Sequence, residues 1–159
     1  MIFATVGSSC APFKRMMTAL AALPPDDLHV QHGPATPPSC ARADEFLPFG
    51  QMAELIEGAD VVVSHAGVGS IMCALSAGHV PVVFPRLRRY AETVDDHQAE
   101  LAEALERRGT VIVVWSPEEL AAAIASVPPR GCVRTLEAEQ LGEAVRAAIW
   151  GRRRWKIPA

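Results

Sequence analysis

Residues Ala59 to Pro85 read ADVVVSHAGVGSIMCALSAGHVPVVFP. Val61, Val62 and Val63 form a short β-branched apolar run, the pattern of a strand buried on both faces of a parallel sheet. A small-residue turn follows, Ser64-His65-Ala66-Gly67-Val68-Gly69-Ser70, holding a single imidazole. Ile71 to Ala77 has helical composition, and Gly78 stands where a helix C-terminus takes a left-handed residue. Val80 to Phe84 is a second apolar run, closed by Pro85. Strand, glycine-rich turn, helix and strand make a βαβ unit. Such a turn lets the backbone approach a ligand, and the helix start offers unpaired N–H groups with a partial positive charge. A phosphate or diphosphate is the matching ligand class. The competing reading is that the glycines only allow the strand and helix to pack closely.

The same grammar extends outward. A first strand is expected over Ile2 to Val6, ending at Gly7-Ser8-Ser9. A helix follows from Pro12 to Leu23, with Phe13, Met16, Met17 and Leu20 at core spacing. Pro24-Pro25 breaks it before a strand at Leu28 to Gln31. His32 to Asp44, rich in Pro, Ala and Ser, reads as a loop, then Glu45 to Phe49 as an edge strand and Gln51 to Glu57 as a helix. Arg86, Arg88 and Arg89 fall in a polar loop, read as solvent-exposed. A helix is expected over Val94 to Arg108, with Asp95 as its cap. A strand over Thr110 to Trp115 leads to a helix start at Ser116-Pro117. A last helix, Thr135 to Trp150, precedes the basic tail. Alternating strands and helices predict an α/β Rossmann-like three-layer sandwich with a mainly parallel sheet, one domain over residues 1–150 and a tail over 151–159. Ligands of such folds bind beyond the carboxyl ends of the strands, where Gly7, Ser8, the His65–Ser70 turn and the region after Arg86 should converge.

At 159 residues with a net charge of −3, the chain has the size of one domain and no electrostatic reason to bind nucleic acid. The start of the sequence lacks the basic segment and cleavage site of a secretory leader. Its four cysteines, Cys10, Cys40, Cys73 and Cys132, form no C-x-x-C pair, so neither zinc nor a disulfide framework is indicated. A reduced, cytoplasmic protein is expected. Arg152, Arg153 and Arg154 between Trp150 and Trp155 suit an anionic membrane surface or, equally, a frayed helix end.

Three segments, His65 to Ser70, Pro81 to Pro85 and Asp95-Asp96-His97-Gln98, resemble in order the donor-binding signature of GT-B glycosyltransferases, most closely the C-terminal domain of glycosyltransferase family 28. With Met1 to Ser8 and Pro12-Phe13, the chain further resembles small stand-alone subunits that carry only the donor half. Those include subunits of bacterial exopolysaccharide glycosyltransferases and the catalytic subunit that adds the second N-acetylglucosamine to a dolichol-linked precursor. The resemblance, over residues 1 to 127, implies a fold equivalent to the C-terminal half of a GT-B enzyme. It also implies a UDP-sugar donor and hexosyl transfer to a lipid-linked glycan acceptor. Gly67, Val68, Gly69 and Ser70 would hold the diphosphate, aided by His65. Gln98, with Asp96 and His97, would contact the sugar, and Gly7 and Ser8 would border the cleft. No metal and no cofactor is implied, since helix amides can stabilise the leaving diphosphate. The general base and the acceptor site would come from a membrane-anchored partner subunit, which would recruit the chain to the cytoplasmic face of the membrane. One position departs from the pattern: Cys73 stands where many GT-B enzymes bind the ribose through glutamate. The alternative is a non-catalytic Rossmann-like module that binds a nucleotide or a partner protein. A dinucleotide oxidoreductase fits less well, because Gly7-Ser8-Ser9-Cys10-Ala11 lacks the G-x-G-x-x-G spacing.

Overall fold

The computed structural model describes residues 1–131. Strands β1 (Ile2–Thr5), β2 (Leu28–Gln31), β3 (Arg42–Asp44), β4 (Val61–Ser64), β5 (Val82–Val83) and β6 (Ile112–Val113) form one sheet. Their order is β3-β2-β1-β4-β5-β6 and every neighbouring pair is parallel. The chain therefore starts at the centre, runs outward through β2 and β3, returns to β4 and runs outward the other way. Loops leaving β1 and β4 diverge to opposite sides, which opens a crevice between their carboxyl ends.

Helices α1 (Lys14–Leu20), α2 (Phe49–Gly58), α3 (Val68–Ser76), α4 (His97–Glu106) and α5 (Leu120–Ala125) cover both faces. Ala4, Val30, Val63 and Val82 pack with Met16, Leu20 and Leu120 under α1 and α5. On the other face Phe3 and Val62 meet Ile56 and Ala74 of α2 and α3. Val83 and Val113 meet Ile71, Leu75, Leu101 and Leu105 of α3 and α4. Alternate residues of each strand thus serve opposite layers, which is why the strands are apolar throughout rather than alternating. The Rossmann-like three-layer sandwich expected from the sequence is the fold observed.

Several boundaries differ from expectation. The edge strand is Arg42–Asp44, within the expected loop, and residues 45–48 have no regular structure. Arg42-Ala43-Asp44 carries no β-branched signal. Main-chain pairing with His29 to Gln31, and an Asp44 carboxylate 2.7 Å from His29 Nε2, hold it in the sheet. Helix α3 begins at Val68 rather than Ile71, so Gly69 and Ser70 lie in its first turn. Helix α4 begins at His97 rather than Val94, with Asp96 as N-cap. Asp95 instead accepts the His97 amide at 3.2 Å, closing a tight turn ahead of the helix. Gly78, at φ +83°, follows the α3 C-cap Ala77 as expected. The capping box of Ser116 with Glu119 opens the last described helical segment, a short 3₁₀ turn running into α5. The expected helix over 135–150, the tail over 151–159 and Cys132 lie outside the described residues.

Candidate functional site: a crevice between the first and fourth strands

The ends of β1 and β4 meet around one imidazole. His65 donates its backbone N–H to Thr5 O at 3.0 Å, which binds the two strand ends together. Its ring lies between Gly7 and Gly67, and a Cβ at either position would overlap it. Gly7 also has φ +74°, a left-handed backbone that a side chain would strain. Both glycines therefore make room for His65. Nδ1 of that ring is enclosed and has no hydrogen-bond partner among the described residues. Burial, reinforced by the nearby Arg86 cation and opposed by the Thr5 carbonyl, lowers its pKa to about 4. The imidazole is neutral at physiological pH.

Stability should follow from that shift. An unfolded histidine titrates near 6.5 and this one near 4, so between those values the unfolded chain holds a proton that the folded chain does not. Folding stability should therefore decline as pH falls from about 6.5 to about 4, by up to about 3 kcal/mol from His65 alone, and level off below. Urea unfolding midpoints between pH 4 and 7 test this, with a shallower profile expected for His65→Gln. Equal slopes in the two proteins would refute it.

Gly69 plays a different part. It is exposed, and a Cβ there would meet nothing within 4 Å. Beside it Val68 is 36% exposed. The N–H groups of Val68, Gly69 and Ser70 make no backbone hydrogen bond among the described residues, as the first turn of a helix requires. This end of α3 carries an open face of free amides on the helix's positive pole. The Ser70 hydroxyl is turned inward: it shares a 2.6 Å hydrogen bond with Ser64 Oγ and donates to Gly67 O at 3.1 Å. Its contact in this structure is with the protein, locking α3 onto β4. Cys73 packs half-buried with Phe3, Ile56 and Ala74, and burial and the Glu57 carboxylate push its thiol pKa up.

A network that the sequence reading missed supports the crevice from below. Arg86, read as a solvated loop residue, is 1% exposed. Its guanidinium donates to Ala11 O at 3.0 Å and to Val6 O and Glu92 O at 3.4 Å, and it lies 4.5 Å from the Phe13 ring centroid. Arg86 Nε has no hydrogen-bond partner among the described residues. Arg15 holds the Glu92 carboxylate with two bonds, 3.0 and 2.7 Å, and donates to Pro85 O and Trp115 O. Of the two guanidinium groups, Arg15 alone bonds the Glu92 carboxylate, which acts on Arg86 only through its field, and two guanidinium groups with one carboxylate leave one net positive charge under the loop that follows β1. On the other flank Thr5 Oγ1 bonds Gln31 Oε1 at 2.5 Å and accepts the Gly7 amide at 3.1 Å, while Gln31 Nε2 donates to Gly7 O and Glu45 O. The only sequence trace of these roles is a polar residue at the carboxyl end of an otherwise apolar strand.

Gln98 belongs to this region, its Oε1 accepting the Arg86 amide at 3.2 Å. Ser8 is exposed beside Gly7. The other two expected sugar contacts lie differently. His97 is exposed and pairs with Asp95 at 2.9 Å. Asp96 accepts the Arg88 amide at 2.9 Å and lines a separate cavity beside α4.

The profile of the glycosyltransferase family 28 C-terminal domain matches residues 1–148. The chain belongs to this family. One relative is the UDP-N-acetylglucosamine--N-acetylmuramyl-(pentapeptide) pyrophosphoryl-undecaprenol N-acetylglucosamine transferase of Tolumonas auensis, 32% identical over 104 residues, covering 65% of this chain and 28% of that protein. Another is the UDP-N-acetylglucosamine transferase subunit ALG13 of Cryptococcus neoformans var. neoformans, 43% identical over 67 residues, covering 42% of this chain and 32% of the relative. The ALG13 subunit of Yarrowia lipolytica is 42% identical over 55 residues, or 35% and 26% of the two chains. The chain thus matches about a third or less of each relative's length. Among the described residues no helix is long and apolar enough to cross a membrane.

Proposed function

We propose that this chain is the donor-binding subunit of a two-component GT-B glycosyltransferase that moves a hexosyl group from a UDP-sugar to a lipid-linked glycan acceptor. The observation that carries the reading is the open first turn of α3: free amides at Val68, Gly69 and Ser70, unobstructed space at Gly69, and a neutral imidazole at the crossing of β1 and β4. In the reaction an acceptor hydroxyl oxygen bonds to the anomeric carbon as the bond to the diphosphate oxygen breaks. The electron pair leaves with UDP. The amides and the helix pole meet the charge that develops on the diphosphate, and the buried positive charge of the Arg86–Glu92–Arg15 network adds to the same field. His65, being neutral, offers one ring N–H without adding charge. Gln98, fixed through the Arg86 amide, reaches toward the sugar. The base that takes the acceptor proton comes from a membrane-anchored partner, as does the wall that closes the cleft.

Calorimetric titration with UDP-N-acetylglucosamine, UDP-glucose, UDP-glucuronic acid and UDP tests the donor site. One UDP-sugar should bind; Gln98→Ala should weaken it at least about tenfold by the loss of one good polar contact, and Gly69→Ala by about as much through the methyl it adds where the diphosphate would approach the amides. A folded chain that binds none of the four would defeat the proposal and favour a non-catalytic, partner-binding module.

A further inference from the structure

Gly7 is held at both ends of its backbone. Its N–H donates to Thr5 Oγ1 at 3.1 Å, and its carbonyl accepts from Gln31 Nε2 at 3.0 Å. Thr5 Oγ1 gives its own proton to Gln31 Oε1, and the second Nε2 hydrogen goes to Glu45 O at 3.1 Å. The Gln31 backbone carbonyl accepts the Val6 amide at 3.1 Å. Every polar atom of the two side chains therefore has a partner. The Gln31 amide can sit only one way round, because turned over its oxygen would face two carbonyl oxygens. Thr5 is fully enclosed and Gln31 is 3% exposed, so water does not compete for these bonds.

The place where this clamp grips gives it a role. Gly7 has φ +74°, and a residue without a side chain has no packing of its own to fix it. Its Cα stands so close to the His65 ring that a Cβ would overlap Cε1 and Nε2, and Gly67 closes the other side in the same way. Any outward shift of Gly7 widens that slot and lets the imidazole turn or take up water. Gln31 also joins three loops at the carboxyl edge of the sheet: the one after β1 through Gly7, the one after β3 through Glu45, and its own at the end of β2.

We infer that Gln31, with Thr5, is a positioning residue of the donor site: it fixes Gly7 as one wall of the His65 slot, and so sets where the imidazole stands relative to the amides that begin α3. It acts through Gly7 and His65 rather than on the ligand. The effect on donor affinity rests on the donor-binding reading; the hold on His65 does not.

The test compares Gln31→Met and Thr5→Val, which keep length or shape but lose the hydrogen bonds, with two controls. Thr5→Ser keeps the hydroxyl, and Val30→Ala opens a cavity on the same strand as Gln31 but facing α1. The first readout is the His65 ring, its Cε1 proton assigned with His65→Gln and followed by NMR from pH 4 to 8. In the parent the ring should stay neutral down to about pH 4, held there by burial with the Arg86 cation nearby. In Gln31→Met and Thr5→Val the slot admits water, and the midpoint should rise by about one pH unit or more. Thr5→Ser and Val30→Ala should titrate like the parent, although Val30→Ala melts lower. The second readout is UDP-sugar titration, with affinity reduced about tenfold or more in Gln31→Met and Thr5→Val and within about threefold of the parent in the two controls. Parent-like His65 titration in both Gln31→Met and Thr5→Val, or an equal rise in Val30→Ala, overturns the inference. So does unchanged donor affinity in both variants of a parent that binds. A parent that binds no UDP-sugar defeats the donor reading alone, and the His65 titration still decides the clamp. Should neither apolar variant fold, hydrogen exchange in the parent decides: slow exchange of the Gly7 N–H and the Gln31 side-chain amide supports the clamp, and rapid exchange of either overturns it.

Discussion

Glu92→Gln is expected to destabilise the protein by about 3 to 5 kcal/mol, the range for removing one partner of a buried ion pair. Glu92 is 7% exposed and lies among two guanidinium groups, Arg15 at 2.7 Å and Arg86 through its field. Glutamine has nearly the same shape and can still accept the Leu87 amide now bonded at 3.0 Å, so what the substitution removes is the charge. Two buried cations would then face each other with only carbonyl oxygens and aromatic faces around them. Arg15→Met should cost less, because it removes one cation and leaves Glu92 beside the other. For a chain of this size the expected loss lowers the melting temperature by roughly 10 °C. Circular-dichroism melts of the parent and both variants check the order. A Glu92→Gln protein within 1 kcal/mol of the parent would mean that water or rearranged carbonyls satisfy the pair.

Gly67→Ala should damage the donor site most. Its new Cβ would overlap the His65 ring, which is hemmed in on its other side by Gly7, so the imidazole must leave its slot or the turn must open. Overpacking of this kind costs about 1 to 3 kcal/mol. UDP-sugar affinity should fall about a hundredfold, since both the imidazole and the amides beginning α3 would move. Gly69→Ala is its control. Added bulk there meets only open space, and the change from glycine to alanine in a helix raises stability by up to about 1 kcal/mol. It should therefore weaken donor binding while leaving the melting curve equal or higher. Melting curves and titrations on both variants separate glycine as a packing necessity from glycine as ligand space. Parent-like donor affinity in Gly67→Ala would show that His65 is not part of the site.

These two pairs also mark how far the residues could be read without coordinates. The βαβ unit was legible because its signals are local: a β-branched run, a glycine turn and a C-terminal glycine, each acting within a few residues. The convergence of Gly7 with the His65 turn was legible too, since strand ends in a parallel sheet share an edge. Arg86 was not. Next to Arg88 and Arg89 it looks like part of a solvated run, and its burial is decided by Phe13 and the carbonyls of Val6 and Ala11, far away in sequence. Asp96 and Gln98 read alike as one cluster, whereas helical geometry turns them to different faces of α4. The strand at Arg42–Asp44 was hidden because its membership rests on main-chain pairing and a contact to His29 rather than on its own side chains.

The central seam between β1 and β4, with Ile2 opposite Val61 and Thr5 opposite Ser64, also bears on how the chain acquires its competence. During synthesis β1, β2 and β3 emerge first and can pair among themselves. The other edge of β1 stays bare until β4 has been made, and this long-range closure is the slow, entropically costly kind. Gly7 sits on one lip of that seam and His65 on the other. A donor molecule bridging the two lips would bind only chains whose seam has closed, and would retard amide exchange there more than in the outer strands. Nucleotide recognition in this architecture would thus double as a readout that the last long-range pairing of the fold is complete.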